Sequence, residues 1–136
     1  MTVDFDAREA AMRKKILIAD DEDNIRELIR VTLEEEGYEI HEAVDGEEAL
    51  AKVEEVVPDL VILDILMPGK VGYIVCREIK RHEETKHIQV LCLSHRSNVG
   101  AIETMKMFGA DDFLAKPFEP KSLREKVKKA LGPPAA

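Results

Sequence analysis

Four short apolar runs in this chain each stop at a side chain that can do chemistry. Lys15-Ile16-Leu17-Ile18-Ala19 stops at Asp20-Asp21, and Asp59-Leu60-Val61-Ile62-Leu63 stops at Asp64. Ile88 to Leu93 stops at Ser94, and Asp112-Phe113-Leu114-Ala115 stops at Lys116. If the four ends meet, three carboxylates, one hydroxyl and one ammonium share a rim. Two carboxylates about 4 Å apart repel by roughly 4 kcal/mol at an effective dielectric of 20. Three must therefore raise a pKa or recruit a cation. An all-oxygen set open to water suits a hard divalent ion, Mg2+ or Mn2+. Lys116 is a point donor suited to a phosphoryl oxygen, and Ser94 offers a hydroxyl to another. The set has no general base and no oxyanion elbow, so it makes a poor hydrolase but a good phosphoryl acceptor. Asp64 is the natural nucleophile, because a carboxylate attacks phosphorus only when charge is neutralised on both partners. Each residue alone has a plainer explanation. Asp-Asp is usually a turn or helix-cap signal, and a Lys before Pro is usually a solvated strand end. Their joint occurrence at successive strand ends carries the argument.

The segments between the runs have helical period. Ile25, Leu28, Ile29 and Leu33 repeat along residues 23–36, and Gly37 closes that helix. Tyr38 to Val44 is strand-like. Asp45 and Glu48 form a capping pair that opens a helix through Ala49, Leu50 and Val53. Met67-Pro68-Gly69 is a loop. Val71 to Arg81 is a helix with Ile74, Val75 and Ile79 inward. Val99 to Phe108, closed by Gly109, and Glu119 to Leu131 are the remaining helices. Strict alternation of strand and helix, with strands apolar on both faces, specifies a parallel sheet covered on both sides. Right-handed crossovers leave the flavodoxin-like (βα)5 three-layer sandwich of strand order 2-1-3-4-5 as the best fit. That order makes strands one, three, four and five neighbours, and it puts the working crevice at their carboxyl ends. The expected organisation is a leader over residues 1–13, one α/β domain over 14–131 and a tail over 132–136.

Composition removes several classes of function. The net charge of −8 leaves no basic surplus for direct nucleic-acid binding. No apolar run approaches the roughly 18–20 residues of a membrane span, and the N-terminus lacks a signal-peptide core. Cys76 and Cys92 lie in apolar stretches without metal or redox spacing, as expected of a buried, reduced pair in a cytoplasmic protein. Trp is absent and aromatics are 4%, too few for a stacking platform.

The motifs Ile16-Leu17-Ile18-Ala19-Asp20-Asp21-Glu22, Asp45-Gly46-Glu47-Glu48-Ala49-Leu50, Pro58 to Asp64 with Met67-Pro68-Gly69, and Gly109 to Phe113 with Lys116-Pro117-Phe118 together resemble the receiver domain of two-component response regulators. The resemblance covers residues 14–131. It implies a phosphoacceptor signalling domain rather than an enzyme, one that at most catalyses its own phosphorylation and slow dephosphorylation. By that resemblance Asp64 is the phosphoacceptor. Asp20, Asp21 and Asp64 bind the metal, with the Leu66 backbone carbonyl as a further ligand. Ser94 and Phe113 are switch residues, and Lys116 is the family's lysine, usually followed by a cis-Pro bond. The phosphoryl donor would be a phosphohistidine on a histidine kinase or histidine phosphotransfer protein. A downstream protein would bind residues 97–131, either in trans to a stand-alone receiver or within a larger regulator. Met105, Met107, Phe108 and Phe118 fall in that stretch, although their spacing equally suits core packing.

Three departures from the family pattern stand out. His95 follows Ser94 where a small residue is usual, and its imidazole would hinder access or contact the phosphoryl group. Leu66 and Arg96 occupy positions that tune hydrolysis, and an apolar Leu66 cannot orient a water, which predicts a long-lived acyl phosphate. Val71 replaces an acidic residue before Gly72. These departures leave room for a receiver-like interaction module that works without phosphorylation. An aspartyl-nucleophile phosphatase would need an acid at Leu66. A flavin carrier would need a phosphate loop where Asp20-Asp21-Glu22 repels phosphate.

Overall fold

The first three apolar runs have no polar face, so each strand has to be covered on both sides. In the computed structural model, which describes residues 13–67, 72–95 and 99–132, they form the centre of a five-stranded sheet. The strands are β1 (Lys15–Ala19), β2 (Glu39–Ala43), β3 (Leu60–Asp64), β4 (Gln89–His95) and β5 (Asp112–Lys116). Their order is β2-β1-β3-β4-β5, as expected, and every pairing is parallel. The register sets Ile18 beside Ile62, Leu63 beside Cys92 and Ser94 beside Ala115.

Period-two alternation splits the apolar residues between two cores. Leu17, Ala19, Val61, Leu63, Val90 and Cys92 face one side. There they meet helices α2 (Gly46–Val56), α3 (Gly72–Arg81) and α4 (Val99–Met107) through Val53, Ile79 and Met105, among others. Ile16, Ile18, Leu60, Ile62, Leu91 and Leu93 face the other side. They meet α1 (Asp23–Glu34) and α5 (Pro120–Leu131) through Ile29, Leu33, Leu123 and Val127. All of these side chains are almost wholly buried. At about 25 cal/mol per Å2 of apolar surface, each large one stabilises the fold by roughly 1.5–3 kcal/mol.

Local signals fix the ends of the helices. Asp45 caps α2, accepting the Glu48 N–H at 2.8 Å, while Glu48 reaches back to the Val44 N–H at 3.2 Å. Gly37 takes φ 90° after α1, and its N–H donates to the Glu34 carbonyl at 3.0 Å. At the start of α3 only glycine fits, because a Cβ on Gly72 would lie 2.8 Å from the Ile65 carbonyl oxygen.

The structure corrects some details. β4 runs on through Ser94 and His95, and β5 includes Lys116, so Lys116 is a buried strand residue rather than a solvated end. Met107 is 84% exposed whereas Met105 is buried, because two residues turn a helix by about 200° and put them on opposite faces. Leu28 is partly exposed on the flank of α1. Cys76 and Cys92 are free, buried thiols as expected. Burial pushes Cys76 up to about 11 and Cys92 well above the usual thiol range. No described helix is long and apolar enough to cross a membrane.

Candidate functional site

In a parallel sheet every strand ends at the same edge, and at this edge Asp20, Asp64 and Lys116 meet. Asp20 is fully buried. Its Oδ2 accepts a hydrogen bond from Lys116 Nζ at 2.8 Å, and its Oδ1 accepts the Glu22 N–H at 2.9 Å. The Arg26 guanidinium donates to the Asp20 carbonyl at 2.8 Å and ties the strand end to α1. Asp64 Oδ2 lies 3.3 Å from the same ammonium, and its Oδ1 accepts the Leu66 N–H at 3.2 Å. Glu22 completes the ring, 3.6 Å from Lys116.

The charges do not balance. Asp20, Asp21, Glu22 and Asp64 each bring a carboxylate oxygen within 4.8 Å of the others, with one ammonium among them. Burial, and then the charge of Asp20, pushes the Asp64 carboxyl above the usual carboxylate range, against the pull of Lys116 and the Leu66 N–H. Burial pulls the Lys116 ammonium down. The Asp20 hydrogen bond and the charges of Asp64, Asp20 and Glu22 outweigh that and raise its pKa. Such a site attracts a hard cation. Its donors are all oxygen, and Asp21 and Glu22 are open to water, which suits an ion that keeps part of its hydration shell.

Glu22 was not among the candidate ligands read from the sequence. It caps α1 through its backbone and makes no side-chain cap, and the signal available was a third consecutive acid. Ser94 is buried at the end of β4, and His95 is exposed and in register with Lys116. The Leu66 side chain is 61% exposed and offers no polar atom to the cluster. Phe113 is half-buried, with the Lys106 ammonium 6.0 Å from its ring centroid. The Lys116–Pro117 bond is cis. Arg96 and Val71 lie outside the described residues.

A family profile described as "Response regulator receiver domain" matches residues 16–128. The chain belongs to that family. The receiver is 42% identical over 118 residues to the transcriptional regulatory protein ResD of Bacillus subtilis, covering 86% of this chain and 48% of that protein. It is 38% identical over 122 residues to the alkaline phosphatase synthesis transcriptional regulatory protein PhoP of the same organism, covering 88% and 49%. The receiver thus spans about half the length of these curated relatives. Among solved structures, the chemotaxis response regulator CheY4 of Vibrio cholerae superposes with a TM-score of 0.83 at 32% identity, covering 88% of this chain and 100% of that one. A response regulator structure from Chloroflexus aurantiacus gives 0.84 at 39% identity, covering 88% and 98%. The receiver is therefore a signalling domain of the two-component type, with the flavodoxin-like fold.

Proposed function

We propose that this receiver accepts a phosphoryl group on Asp64 from a phosphohistidine, in a Mg2+-dependent step, and that the modified site switches a partner-binding face. The observation that carries the reading is Lys116 Nζ, buried between Asp20 and Asp64 in a cluster that stays strongly negative. An Asp64 carboxylate oxygen attacks phosphorus, and the new O–P bond forms as the P–N bond to the donor imidazole breaks. The electron pair of that bond leaves with the imidazole nitrogen, which takes a proton from water. Lys116 bonds a phosphoryl oxygen, and the Ser94 hydroxyl donates to another. Asp20, Asp21 and Asp64, with the Leu66 carbonyl and Glu22 nearby, would hold Mg2+ or Mn2+. The ion supplies the positive charge that lets an anionic donor approach an anionic acceptor.

The donor is a histidine kinase or a histidine phosphotransfer protein in the cytoplasm. The exposed Leu66 side chain cannot orient a hydrolytic water, so the acyl phosphate is long-lived. His95 and Arg96 modulate access from the β4 end. The switch runs through Ser94 and Phe113 to residues 97–131, biasing a pre-existing two-state equilibrium.

The test is incubation with acetyl phosphate and Mg2+, read by intact mass. The wild-type chain gains one phosphoryl group and Asp64→Asn gains none. If the wild type gains nothing and Mg2+ leaves its melting temperature unchanged, the chain is an interaction module that works without phosphorylation.

A further inference from the structure

The right-handed crossovers run each helix antiparallel to the strands. The C-terminal ends of α2 and α3 therefore lie at the edge of the sheet where strands begin, opposite the acid cluster. Between them is an open cavity of about 490 Å3. Leu50, Val53, Val57 and Ile79 form its apolar lining, Glu54 and Glu84 supply its free carboxylates, and Glu78 is already paired with Arg81 and with His82, which also lines the cavity.

Local preferences are violated at this place more than once. Glu54 and Glu55 fall in the last turn of α2, which holds no basic residue. Carboxylates there face the negative end of the helix dipole, where cations are favoured. Among the described residues no ion pair reaches Glu54, Glu55 or Glu84. Val57, which caps α2, adopts φ 48° and ψ 68°, a left-handed conformation that β-branched residues rarely take. Its side chain is nonetheless 45% exposed on the lip of the cavity. Departures of this kind concentrate where a surface has a second use.

We propose that this groove is a docking site for a helical segment of a partner protein presenting Leu-sized apolar side chains flanked by Lys or Arg. The apolar lining takes the hydrophobic face of such a helix, and the unpaired glutamates take its cations. This is the helix-in-groove mode of recognition. A separate basic partner is the occupant proposed rather than a second copy of this chain, whose net charge of −8 sets a net repulsion against an acidic rim. The groove sits on the opposite edge from Asp64 and does not depend on phosphorylation.

The probe is a short synthetic helix of Leu-Lys repeats, titrated into the full 15N-labelled chain and followed by amide chemical shifts. A second peptide has the same charge with every Leu replaced by Ala. The shifts should cluster at residues 50–57 and 78–85. The affinity should fall at least tenfold for the Ala peptide, and at least tenfold for the doubly substituted Glu54→Lys/Glu84→Lys chain. Both glutamates are exposed, so the variant keeps its fold, which its circular dichroism verifies. Equal binding of the Ala peptide would reduce the site to charge alone and overturn the proposal. So would shifts centred on Asp20 and Asp64, or an affinity indifferent to Glu54 and Glu84. A concentration-dependent dimer that the double substitution dissolves would make a second copy the occupant and also overturn it.

Discussion

Replacing Lys116 by Met keeps the apolar stem and removes the one ammonium that touches both Asp20 and Asp64. The side chain of Lys116 is 6% exposed and that of Asp20 is 0%, so water cannot take over the lost contact at 2.8 Å. Removing one partner of a buried ion pair costs about 3–5 kcal/mol. Asp64 gives some relief, since its carboxyl is already raised and can take up a proton, which places the loss toward the lower figure. For a chain of this length each kcal/mol moves Tm by roughly 3–4 °C, so Lys116→Met should melt about 10 °C below wild type. Adding Asp20→Asn removes the stranded charge and should recover at least about half of the loss, a coupling that a double-mutant cycle isolates. The assay is thermal and urea unfolding in EDTA near neutral pH. A single variant melting within about 3 °C of wild type, or a double variant no more stable than the single, would refute the view that the site is a strained excess of negative charge held by this lysine.

Saturating Mg2+ should stabilise the chain by mass action, by about 2.7 kcal/mol at a hundred times Kd. EDTA should abolish the shift, and an equal shift in Asp21→Asn would count against the proposed ligands. Burial pushes the Asp112 carboxyl up, but the Lys126 hydrogen bond at 2.9 Å, the Phe113 N–H and the charges of Lys126 and Lys129 hold it below the usual range. A lowered pKa contributes stability above roughly pH 4 that is lost as pH falls through the lowered value. Asp112→Asn should therefore be less stable than wild type near neutrality, and the two melting curves should converge in acid; a constant gap would contradict the linkage. Gly72→Ala forces a Cβ against the Ile65 backbone and should cost about 1–3 kcal/mol. At Gly100 the added Cβ meets nothing within 4 Å, so Gly100→Ala should be neutral or stabilising by up to about 1 kcal/mol. Urea unfolding compares the two, and equal effects would show that close packing at Ile65 does not decide.

The order of the sheet was legible because β1, β3 and β4 are apolar on both faces, a pattern that few topologies satisfy. The acids were legible because each one ends such a run. What the sequence does not display is set by contacts distant along the chain. Lys116 reads locally as a strand end before proline, and only a hydrogen bond spanning 96 residues to Asp20 explains its burial. β4 reaches His95 because β5 continues alongside it to Lys116, and nothing in Ser94-His95 itself signals a strand. Met105 and Met107 are one residue type two positions apart, and the register of a short helix decides which is core. Val57 is a subtler case. Pro58 disfavours helical geometry at the residue before it, which predicts that α2 stops there, but nothing in the local sequence calls for the left-handed exit that Val57 takes before Asp59 pairs with Lys15 at the start of β3.

A parallel α/β sheet is also electrically polar, and that polarity bears on both surfaces. All the helices point their N-terminal ends, with unpaired N–H groups, toward the edge where the strands finish. An anion at that edge is favoured by about 0.3–1 kcal/mol per helix terminus within reach. This offsets part of the repulsion among Asp20, Asp21, Glu22 and Asp64, and it would favour a phosphoryl group bonded to Asp64. The opposite edge gathers the C-terminal ends, where the same preference favours cations. α3 and α5 satisfy it internally with Lys80 and Arg81 and with Lys128 and Lys129 in their last turns. α2 does not, having no basic residue there. α1 shares that lack, but of the two only α2 lines the apolar cavity, so a docked basic partner there would supply the compensating cation.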